Sequence, residues 1–571
     1  MPNSIFLNRI TNMKAHYRYA TLATVAVACA NGNAAIGQIA SPVPGQISQL
    51  PSAPVAAPVI PDIRIGQRDA VTDPGPAGAS VVVSALHITG QTIFAEDELI
   101  AVSGFVPGRS LNLSDLRQIA LRISHYYNAR GYLVAQAYVP AQQITGGAVT
   151  ITVIEGHYGT IALDNKSRLN NHVADTVLAG LQSGDIVAAA PLERRLLLLS
   201  DLPGIRVNST LSPGTAVGTS DLLVNVKPGR GISGDIEASN AGSPYTGLYQ
   251  GGGTINFNEP LGIGDVASLR FLTSGKGLQY GRASYQAQAG NLTLGAAYAY
   301  FHYRLGKQFE ILDAHGSEHV ASLYASYPLV RSYDNNLQAR LELDHRVLRD
   351  DIGAFASNTD RRANVATVGI TGDHRDNWGG GGWDGYSLYL SVGNLDILTP
   401  LARAADAAAA RTNGGYAKLR FSADRLQTVT GPFSLYGGIR GQAAFHNLDI
   451  TEKMELGGAY GVRAYPEGEG YGDEGYVATA EGRLLLPQMS GLPGRLQLAG
   501  FYDYGRVRLN HEPWLPGINT LSRSGAGASL TWAQNGNFLA RASYAFRLGP
   551  QATSYSPGST GQFRFEFIKF F

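Results

Sequence analysis

One pattern in the chain has the spacing of a cofactor site: Gly470-Tyr-Gly472-Asp-Glu-Gly475, a G-x-G-x-x-G sequence. A dinucleotide site needs a strand before this pattern and a helix after it. Here a turn-rich stretch precedes it, and the residues from Tyr476 onward alternate with a period of two. The histidines lack metal-ligand spacing, and the sequence contains no nucleophile or phosphate-loop motif. We therefore predict that the chain is not an enzyme and binds no cofactor or metal.

A second constellation joins an arginine in a glycine-rich segment, residues 456–475, to an aspartate further along the chain. An arginine that is enclosed in a partly dehydrated lumen, such as the interior of a pore, needs a carboxylate partner. An arginine in a solvated loop does not. In the alternating stretch Gly500-Phe-Tyr-Asp-Tyr504, Asp503 lies on the face opposite Tyr502 and Tyr504. Asp503 is therefore the candidate partner of Arg463, and a solvated loop charge is the alternative.

The composition indicates the kind of element that carries these residues. Only 16% of the 571 residues are charged, against roughly 25% in soluble domains, yet the mean hydropathy is only −0.06. No apolar run reaches the roughly 18 residues of a helical membrane span. A membrane β-barrel reconciles these values, because half of each strand faces lipid and half faces a polar lumen. The net charge of +1 predicts no nucleic-acid partner.

The amino terminus has the pattern of a secretory signal peptide, which we place at residues 1–30. Arg9, Lys14 and Arg18 precede a short apolar run at residues 21–28, and small residues follow it. Residues 31–79 are dense in proline, alanine and serine. Such a segment buries too little apolar surface to fold alone, so we predict an extended linker. The single cysteine, Cys29, predicts no disulfide framework in the exported chain.

Two successive segments, residues 80–155 and 156–229, repeat the order strand, helix, helix, strand, strand. In the first segment, an amphipathic helix that opens near Ser114 ends at Gly131, a C-cap glycine. In the second, a helix begins at Pro191, read as its first residue, and strands follow at 205–212 and 221–227. The repeat predicts two small α/β domains.

From residue 230 to 571 the helical period disappears, and segments of about ten residues alternate in polarity. At roughly 20 residues per strand and connection, this length gives about 16 antiparallel strands, which must close because lipid cannot pair an open edge. The predicted fold class is mainly β: a transmembrane antiparallel β-barrel of about 16 strands preceded by two small α/β domains. Phe567 and Phe571 share one face of the last strand, which is similar to the assembly signal of bacterial outer-membrane barrels.

Several motifs resemble those of two-partner secretion transporters, the haemolysin and filamentous-haemagglutinin secretion/activation proteins. Gly131-Tyr132, Pro140 and Val153-Ile-Glu-Gly156 resemble the first POTRA domain of that family, and residues 192–207 resemble the second. Residues 258–265 and 327–332 are similar to the start of the family's barrel. The resemblance spans about residues 80–571. It implies POTRA domains at 80–155 and 156–229 and a barrel at 230–571.

The resemblance also implies a role for the arginine constellation. Val462-Arg463-Ala464-Tyr465 corresponds to the tip of the family's sixth extracellular loop, which folds back into the lumen, and Arg463 would pair with Asp503 on the inner wall. Ala464 stands where the family usually has glycine. Because alanine cannot take every backbone conformation that glycine allows, the detailed shape of the tip is not predicted. Family members often begin with a helix that plugs the pore. Residues 31–79 are the region for such a plug, but they have no amphipathic helical pattern.

The function that the resemblance implies is protein transport across the bacterial outer membrane, with the POTRA domains in the periplasm. These domains would capture an unfolded adhesin- or haemolysin-like exoprotein, which carries an N-terminal secretion domain, by adding its extended chain to a sheet edge. The candidate capture residues are Ile205, Arg206, Val207 and Asn208. Outer-membrane lipid and the barrel-assembly machinery are the other expected partners.

Two alternatives stay open at this point. One is an assembly or insertion factor of the same superfamily, although such factors usually carry three or more POTRA domains. The other is a ligand or solute channel or a receptor barrel, which would leave the tandem α/β repeat unexplained.

Overall fold

The computed structural model describes residues 80–550 and 560–571, together with the backbone of strand β1 (Asp62–Ile65). The expected signal peptide and the remainder of the expected linker lie outside the described residues. Among the helices that the structure describes, none combines the length and the apolar character needed to cross a membrane.

The first α/β domain packs two helices against a three-stranded sheet of order β3-β6-β5. Its elements are β2 (Val81–Val83), β3 (Ala85–Thr89), α1 (Glu96–Ser103), β4 (Arg109–Leu111), α2 (Leu113–Ala129), β5 (Gln136–Tyr138) and β6 (Ala148–Ile154). Asn112 and Asp115 form a capping box that starts α2. The buried face of α2, which includes Ile123 and Tyr127, packs on the inward residues of β6.

The second α/β domain repeats this arrangement. Its elements are β7 (His157–Asn165), α3 (Asn171–Leu178), α4 (Ala189–Ser200), β8 (Ile205–Pro213) and β9 (Thr219–Pro228). Helix α4 begins at Ala189, so the prediction that Pro191 is its first residue is wrong by two positions. The helix tolerates the proline there because the N–H groups of a first turn have no intrahelical acceptor.

Strand β1 adds to the sheet of the second α/β domain, which has the order β1-β8-β9-β7. It pairs in parallel with β8, and Asp62 lies opposite Asn208 and Ile65 opposite Leu211. The region expected to be only a linker therefore contributes a strand. The β8 edge, expected to be exposed, is covered over these residues.

Within the described residues, sixteen antiparallel strands close into a barrel in which β10 pairs with β27. The barrel strands are β10 (Ile232–Ser239), β11 (Gln250–Asn258), β12 (Val266–Thr273), β13 (Leu278–Ala289), β14 (Leu292–Arg304), β15 (Ala314–Arg331), β16 (Asn335–Ile352), β17 (Ser357–Asp376), β18 (Gly382–Ile397), β19 (Gly414–Thr430), β20 (Phe433–Ala444), β23 (Glu474–Leu485), β24 (Arg495–Arg508), β25 (Thr520–Gln534), β26 (Phe538–Arg547) and β27 (Gly561–Phe570). The short strands β21 (Met454–Glu455) and β22 (Tyr471–Gly472) lie between β20 and β23 in the chain and pair with each other outside the barrel sheet. One loop carries helix α5 (Pro400–Ala407), and short 3-10 turns lie at Lys307–Leu312, Gly353–Phe355, Trp378–Gly380 and Ile450–Glu452.

The barrel wall is much taller on one side than the uniform segments of about ten residues predicted from the sequence. Strand β10 has 8 residues, whereas β17 has 20. Successive side chains along each strand point alternately outward and into the lumen. Exposed apolar side chains such as Leu323, Leu341 and Val368 form the outer surface. Phe567 pairs with Ala238 of β10, and the backbone of Phe571 exchanges hydrogen bonds with Gly234, so both lie at the seam that closes the barrel.

The second α/β domain rests against two short turns at one end of the barrel. Arg331 donates to both carboxylate oxygens of Asp201, each at 2.7 Å. Arg194 donates to the carbonyl of Pro328 at 3.0 Å, and the backbone N–H of Asn170 donates to Gly262 at 2.8 Å. We call the end of the barrel that contacts the second α/β domain the near end. The longer loops lie at the opposite end, the far end.

Candidate functional site

The sixth loop, residues 445–473 between β20 and β23, folds into the barrel. Strands β21 and β22 pair to make its stem, and a cluster of its apolar residues packs against the inner wall. Val462, Ala464 and Tyr465 at its tip are fully buried, as are Leu456 of the stem and Val507 of β24. The glycine-rich sequence that follows the tip allows the chain to turn within this confined space.

Arg463 at the loop tip is bound to the inner wall by two carboxylates. Its Nε and Nη2 donate to Asp503 at 2.8 Å each, and its backbone N–H donates to the same carboxylate at 3.1 Å. Its Nη1 donates to Glu481 at 2.8 Å, and its guanidinium lies 3.5 Å from the ring centroid of Phe501. Asp503, which has no exposed surface, also accepts from Thr479 at 2.9 Å.

Ala464 fits at the tip because the opposing wall residue is Gly525. A Cβ added to Gly525 would lie 2.4 Å from the Cβ of Ala464, so the missing side chain on β25 makes room for the methyl group on the loop. Ala464 is not among the residues with positive φ, so its backbone does not require glycine. Tyr465 extends past it and donates from its hydroxyl to Pro550 at 2.7 Å.

Two further ion pairs hold the loop segment that follows the tip. Arg523 of β25 pairs with Glu469 at 2.6 Å, and Arg564 of β27 pairs with Glu467 at 3.0 Å. The sequence reasoning missed both pairs, and it missed Glu481. The available signal was the alternation of acidic residues with glycine in Glu467-Gly-Glu469, opposite arginines that face inward on later strands.

The root of the sixth loop is tied to a different part of the barrel wall, strands β16, β17 and β19. Glu452 pairs with Arg346 of β16 at 2.8 Å and with Lys418 of β19 at 2.7 Å. Asp449 pairs with Arg361 of β17 at 2.5 Å. The loop is therefore held by charges at both ends, and charges buried this deeply need such partners.

The predicted capture residues lie on β8, at the far side of its domain from β7. Ile205 and Val207 point into the domain core and are buried, whereas Arg206 and Asn208 face outward and are exposed. The structure does not bring these residues near the sixth loop. They form a separate candidate surface, and β1 occupies part of its edge.

The described residues contain no group of three or more histidine, cysteine or acidic side chains arranged to hold a metal ion. The arrangement can instead hold or release a loop inside a pore. A closed barrel with a charge-bound internal loop and two α/β domains at one end defines a class: barrel transporters with tandem POTRA domains.

The family is shown by two matches. Residues 218–531 match the family model described as haemolysin secretion/activation protein ShlB/FhaC/HecB, and residues 81–156 match the POTRA domain, ShlB-type. The chain belongs to this haemolysin secretion/activation family. It is an outer-membrane transporter of two-partner secretion, and its POTRA domains lie in the periplasm.

Similar proteins agree with this assignment. Heme/hemopexin transporter protein HuxB of Haemophilus influenzae (strain 86-028NP) is 29% identical over 456 residues, which cover 79% of this chain and 80% of that protein. Outer membrane transporter CdiB of Dickeya dadantii (strain 3937) is 22% identical over 410 residues, covering 70% and 71%.

Solved structures share the fold. CdiB from Escherichia coli aligns with a TM-score of 0.65 at 19% identity and covers 89% of this chain and 92% of that chain. BamA from Haemophilus ducreyi lacking POTRA domains 1–3 aligns with a TM-score of 0.52 at 14% identity, covering 86% and 100%. With the membrane orientation known, the near end of the barrel is periplasmic and the sixth loop enters from the extracellular end.

Proposed function

We propose that the transporter takes its exoprotein from the periplasm at the β8 edge of the second POTRA domain. The observation that carries the proposal is the pairing of this edge with an extended segment of the same chain, Asp62–Ile65, opposite Asn208–Leu211. An edge that pairs with one extended strand offers N–H and C=O groups to another. Affinity would then come from the backbone, and selectivity from outward side chains such as Arg206 and Asn208.

The proposed cargo is a large adhesin- or haemolysin-like exoprotein with an N-terminal secretion domain. HuxB is named as a heme/hemopexin transporter. We therefore include an exoprotein that binds haemopexin among the first cargoes to test.

The proposed gate is the tip of the sixth loop. With Arg463 bound to Asp503 and Glu481, the loop lies in the lumen on the path between periplasm and exterior. Release of this contact would let the loop move aside for the exported chain. The proposed organisation of the chain is a signal peptide at 1–30, a linker at 31–79, POTRA domains at 80–155 and 156–229, and a barrel at 230–571.

A photo-crosslinking experiment tests capture at the β8 edge. A benzophenone amino acid replaces Asn208 in the full-length transporter, which is expressed with the secretion domain of its exoprotein. The matched control replaces Ala162, an exposed residue of β7 at the other edge of the same sheet. We expect a crosslink to the exoprotein from position 208 and at least about tenfold less from position 162. Equal crosslinking at the two positions would refute capture at β8.

A further inference from the structure

A buried carboxyl lies where the second POTRA domain rests on the barrel. Glu259 is in the periplasmic turn between β11 and β12, and only 2% of its surface is exposed. The segment that joins α4 to β8 packs against this turn. A Cβ added to Gly204 of that segment would lie 3.1 Å from the Cγ of Glu259, and Leu202 lies close to Gly264 of the turn. The POTRA domain therefore covers Glu259, and separating the domain from the barrel would expose the carboxyl to water.

The carboxyl of Glu259 has few partners that could stabilise a negative charge. Among the described residues its Oε1 has no hydrogen-bond partner, and its Oε2 accepts one long hydrogen bond, 3.4 Å, from the backbone N–H of Gly264. The carboxylate of Asp265 in the same turn is better served, since it accepts from two backbone N–H groups of the turn and from the hydroxyl of Tyr285. Burial with so few partners favours the neutral, protonated form of Glu259.

The charged groups near Glu259 do not compensate its carboxyl. Within the described residues, the charged group that acts on it is Asp265, whose charge has the same sign. Arg168 of the POTRA domain and Arg230 before β10 approach the turn with their backbone carbonyl oxygens. Asp201, next to the covering segment, is held in its ion pair with the barrel. The closed joint therefore offers Glu259 no cation.

These surroundings link the position of the domain to a proton. Burial, with the charge of Asp265 adding to it, raises the pKa of Glu259 to about 7. In water the pKa of a glutamate is about 4.3. The closed joint therefore keeps a proton that the open joint releases. Closure should weaken by up to about tenfold per pH unit as the pH rises between these two values, and then level off.

We propose that the seating of the second POTRA domain on the barrel is a pH-sensitive joint, with Glu259 protonated while the joint is closed and ionised when it opens. Mild acid holds the domain on the barrel, and a neutral periplasm lets it separate more readily. The backbone supports a role for this side chain, because Glu259 has a φ of 58°, a conformation that glycine would adopt without strain. The inference concerns the joint alone and is independent of which edge captures the cargo.

Hydrogen exchange at the joint tests this coupling in the full-length transporter. The backbone N–H of Asn170 donates to Gly262 across the joint at 2.8 Å, so its exchange reports opening even when the open state is rare. Wild type and Glu259→Gln are compared at each pH from 5 to 8, which cancels the pH dependence of the exchange chemistry. The ratio of the wild-type rate to the variant rate should rise at least about tenfold over this range, because glutamine has no proton to lose.

A second variant and a control separate the proton from the packing. Glu259→Gly suits the left-handed backbone and should give the same rise in the ratio. Glu193→Gln is the control, because Glu193 accepts from the backbone N–H of Tyr333 in the same seating. Its exchange at Asn170 should be faster than in wild type by a factor that does not change with pH.

Two results would overturn the proposal. One is a ratio of wild-type to variant rate that stays constant with pH for either substitution of Glu259. The other is an equal rise of the ratio in residues 148–154, strand β6 of the first POTRA domain, because the proton would then act on the periplasmic domains as a whole and not on the joint.

Discussion

Arg463 is the only basic residue between Lys453 and Arg483, and its charge is balanced by Asp503 and Glu481 together. Its guanidinium also stacks on Phe501, so the contact combines charge, bidentate geometry and an aromatic surface. Losing one partner of a buried pair of this kind costs about 3–5 kcal/mol. That cost is large enough to control whether the loop tip stays docked.

Replacing Arg463 with glutamate should undock the tip. The variant places a third carboxylate beside Asp503 and Glu481, and we expect export to fall at least about tenfold while the barrel still inserts. Combining Arg463→Glu with Asp503→Arg should restore part of the export. The measurements are cargo in the medium and the heat-modifiable mobility of the barrel on a gel. Arg506→Glu, an outward-facing arginine on the same strand as Asp503, is the control. Export at the wild-type level in Arg463→Glu would contradict the role of the loop.

Glu155 has a structural role at the end of β6 in the first POTRA domain. It accepts from the backbone N–H groups of Thr92 and Ile93 at 2.7 and 2.9 Å, and from the hydroxyl of Tyr127 at 2.9 Å. Burial alone would raise the pKa of this carboxyl, but the hydrogen bonds outweigh burial and the pKa is lowered. The carboxylate therefore fastens the loop before α1 to α2.

Glu155→Gln should loosen this domain at neutral pH. Because the folded pKa lies below the unfolded value of about 4.3, the charged form stabilises the domain above that pH, and the contribution disappears as pH falls through the folded pKa. We expect faster hydrogen exchange in residues 113–129 of the variant at pH 7, corresponding to about 1–3 kcal/mol. The difference from wild type should shrink in acid. Hydrogen-exchange mass spectrometry on the full-length protein measures this, and a difference that does not shrink as the pH is lowered through the folded pKa would contradict it.

Single residues could be predicted from the sequence only where a local rule applied. Alternation in residues 500–504 places Asp503 on the inward face, and the structure puts it beside Arg463. No local rule identifies Glu469 and Arg523 as partners, because they are 54 residues apart and meet only when the loop folds into the closed barrel. The glycine usual at position 464 could not be judged dispensable from the sequence, since the compensating gap is at Gly525 on another strand.

Among the elements, β1 shows how tertiary context overrides local composition. Residues 31–79 are so rich in proline that they predict an extended linker, and an extended segment needs only a partner edge to become a strand. The partner is β8, and the sequence of β1, Asp62–Ile65, contains no proline to block pairing. The proposed capture at this edge would therefore compete with β1, because the edge cannot pair with β1 and with an exoprotein at the same time.

Replacing residues 62–65 with Gly-Ser-Gly-Ser should therefore strengthen cargo binding. If β1 covers the edge roughly nine-tenths of the time, its loss should lower the apparent Kd of the secretion domain about tenfold. The measurement is titration of the full-length transporter with the purified secretion domain. The same replacement at residues 52–55 is the control for a change of linker composition. Unchanged or weaker binding would show that β1 does not compete for this edge.

At the scale of the whole molecule, the sequence predicts the number of barrel strands better than the height of the barrel wall. Alternation and total length lead to about 16 strands because side-chain direction is a local property of a strand. The height of the wall is not local: the strands range from 8 residues in β10 to 20 in β17, and only closure with the correct register sets their ends. The seating of the second POTRA domain on the turns of β15–β16 likewise depends on two distant parts of the chain.

That seating includes a bidentate ion pair in which Arg331 at the barrel turn donates to both carboxylate oxygens of Asp201 at 2.7 Å. Asp201→Arg should set two cations against each other, so export should fall while the conductance of the barrel in planar bilayers stays at the wild-type value. Adding Arg331→Asp restores opposite charges and should recover export. Asp175→Arg, an exposed charge on α3 of the same domain, controls for added positive charge. Full export by Asp201→Arg would mean that the POTRA domain delivers its cargo without being held at this turn.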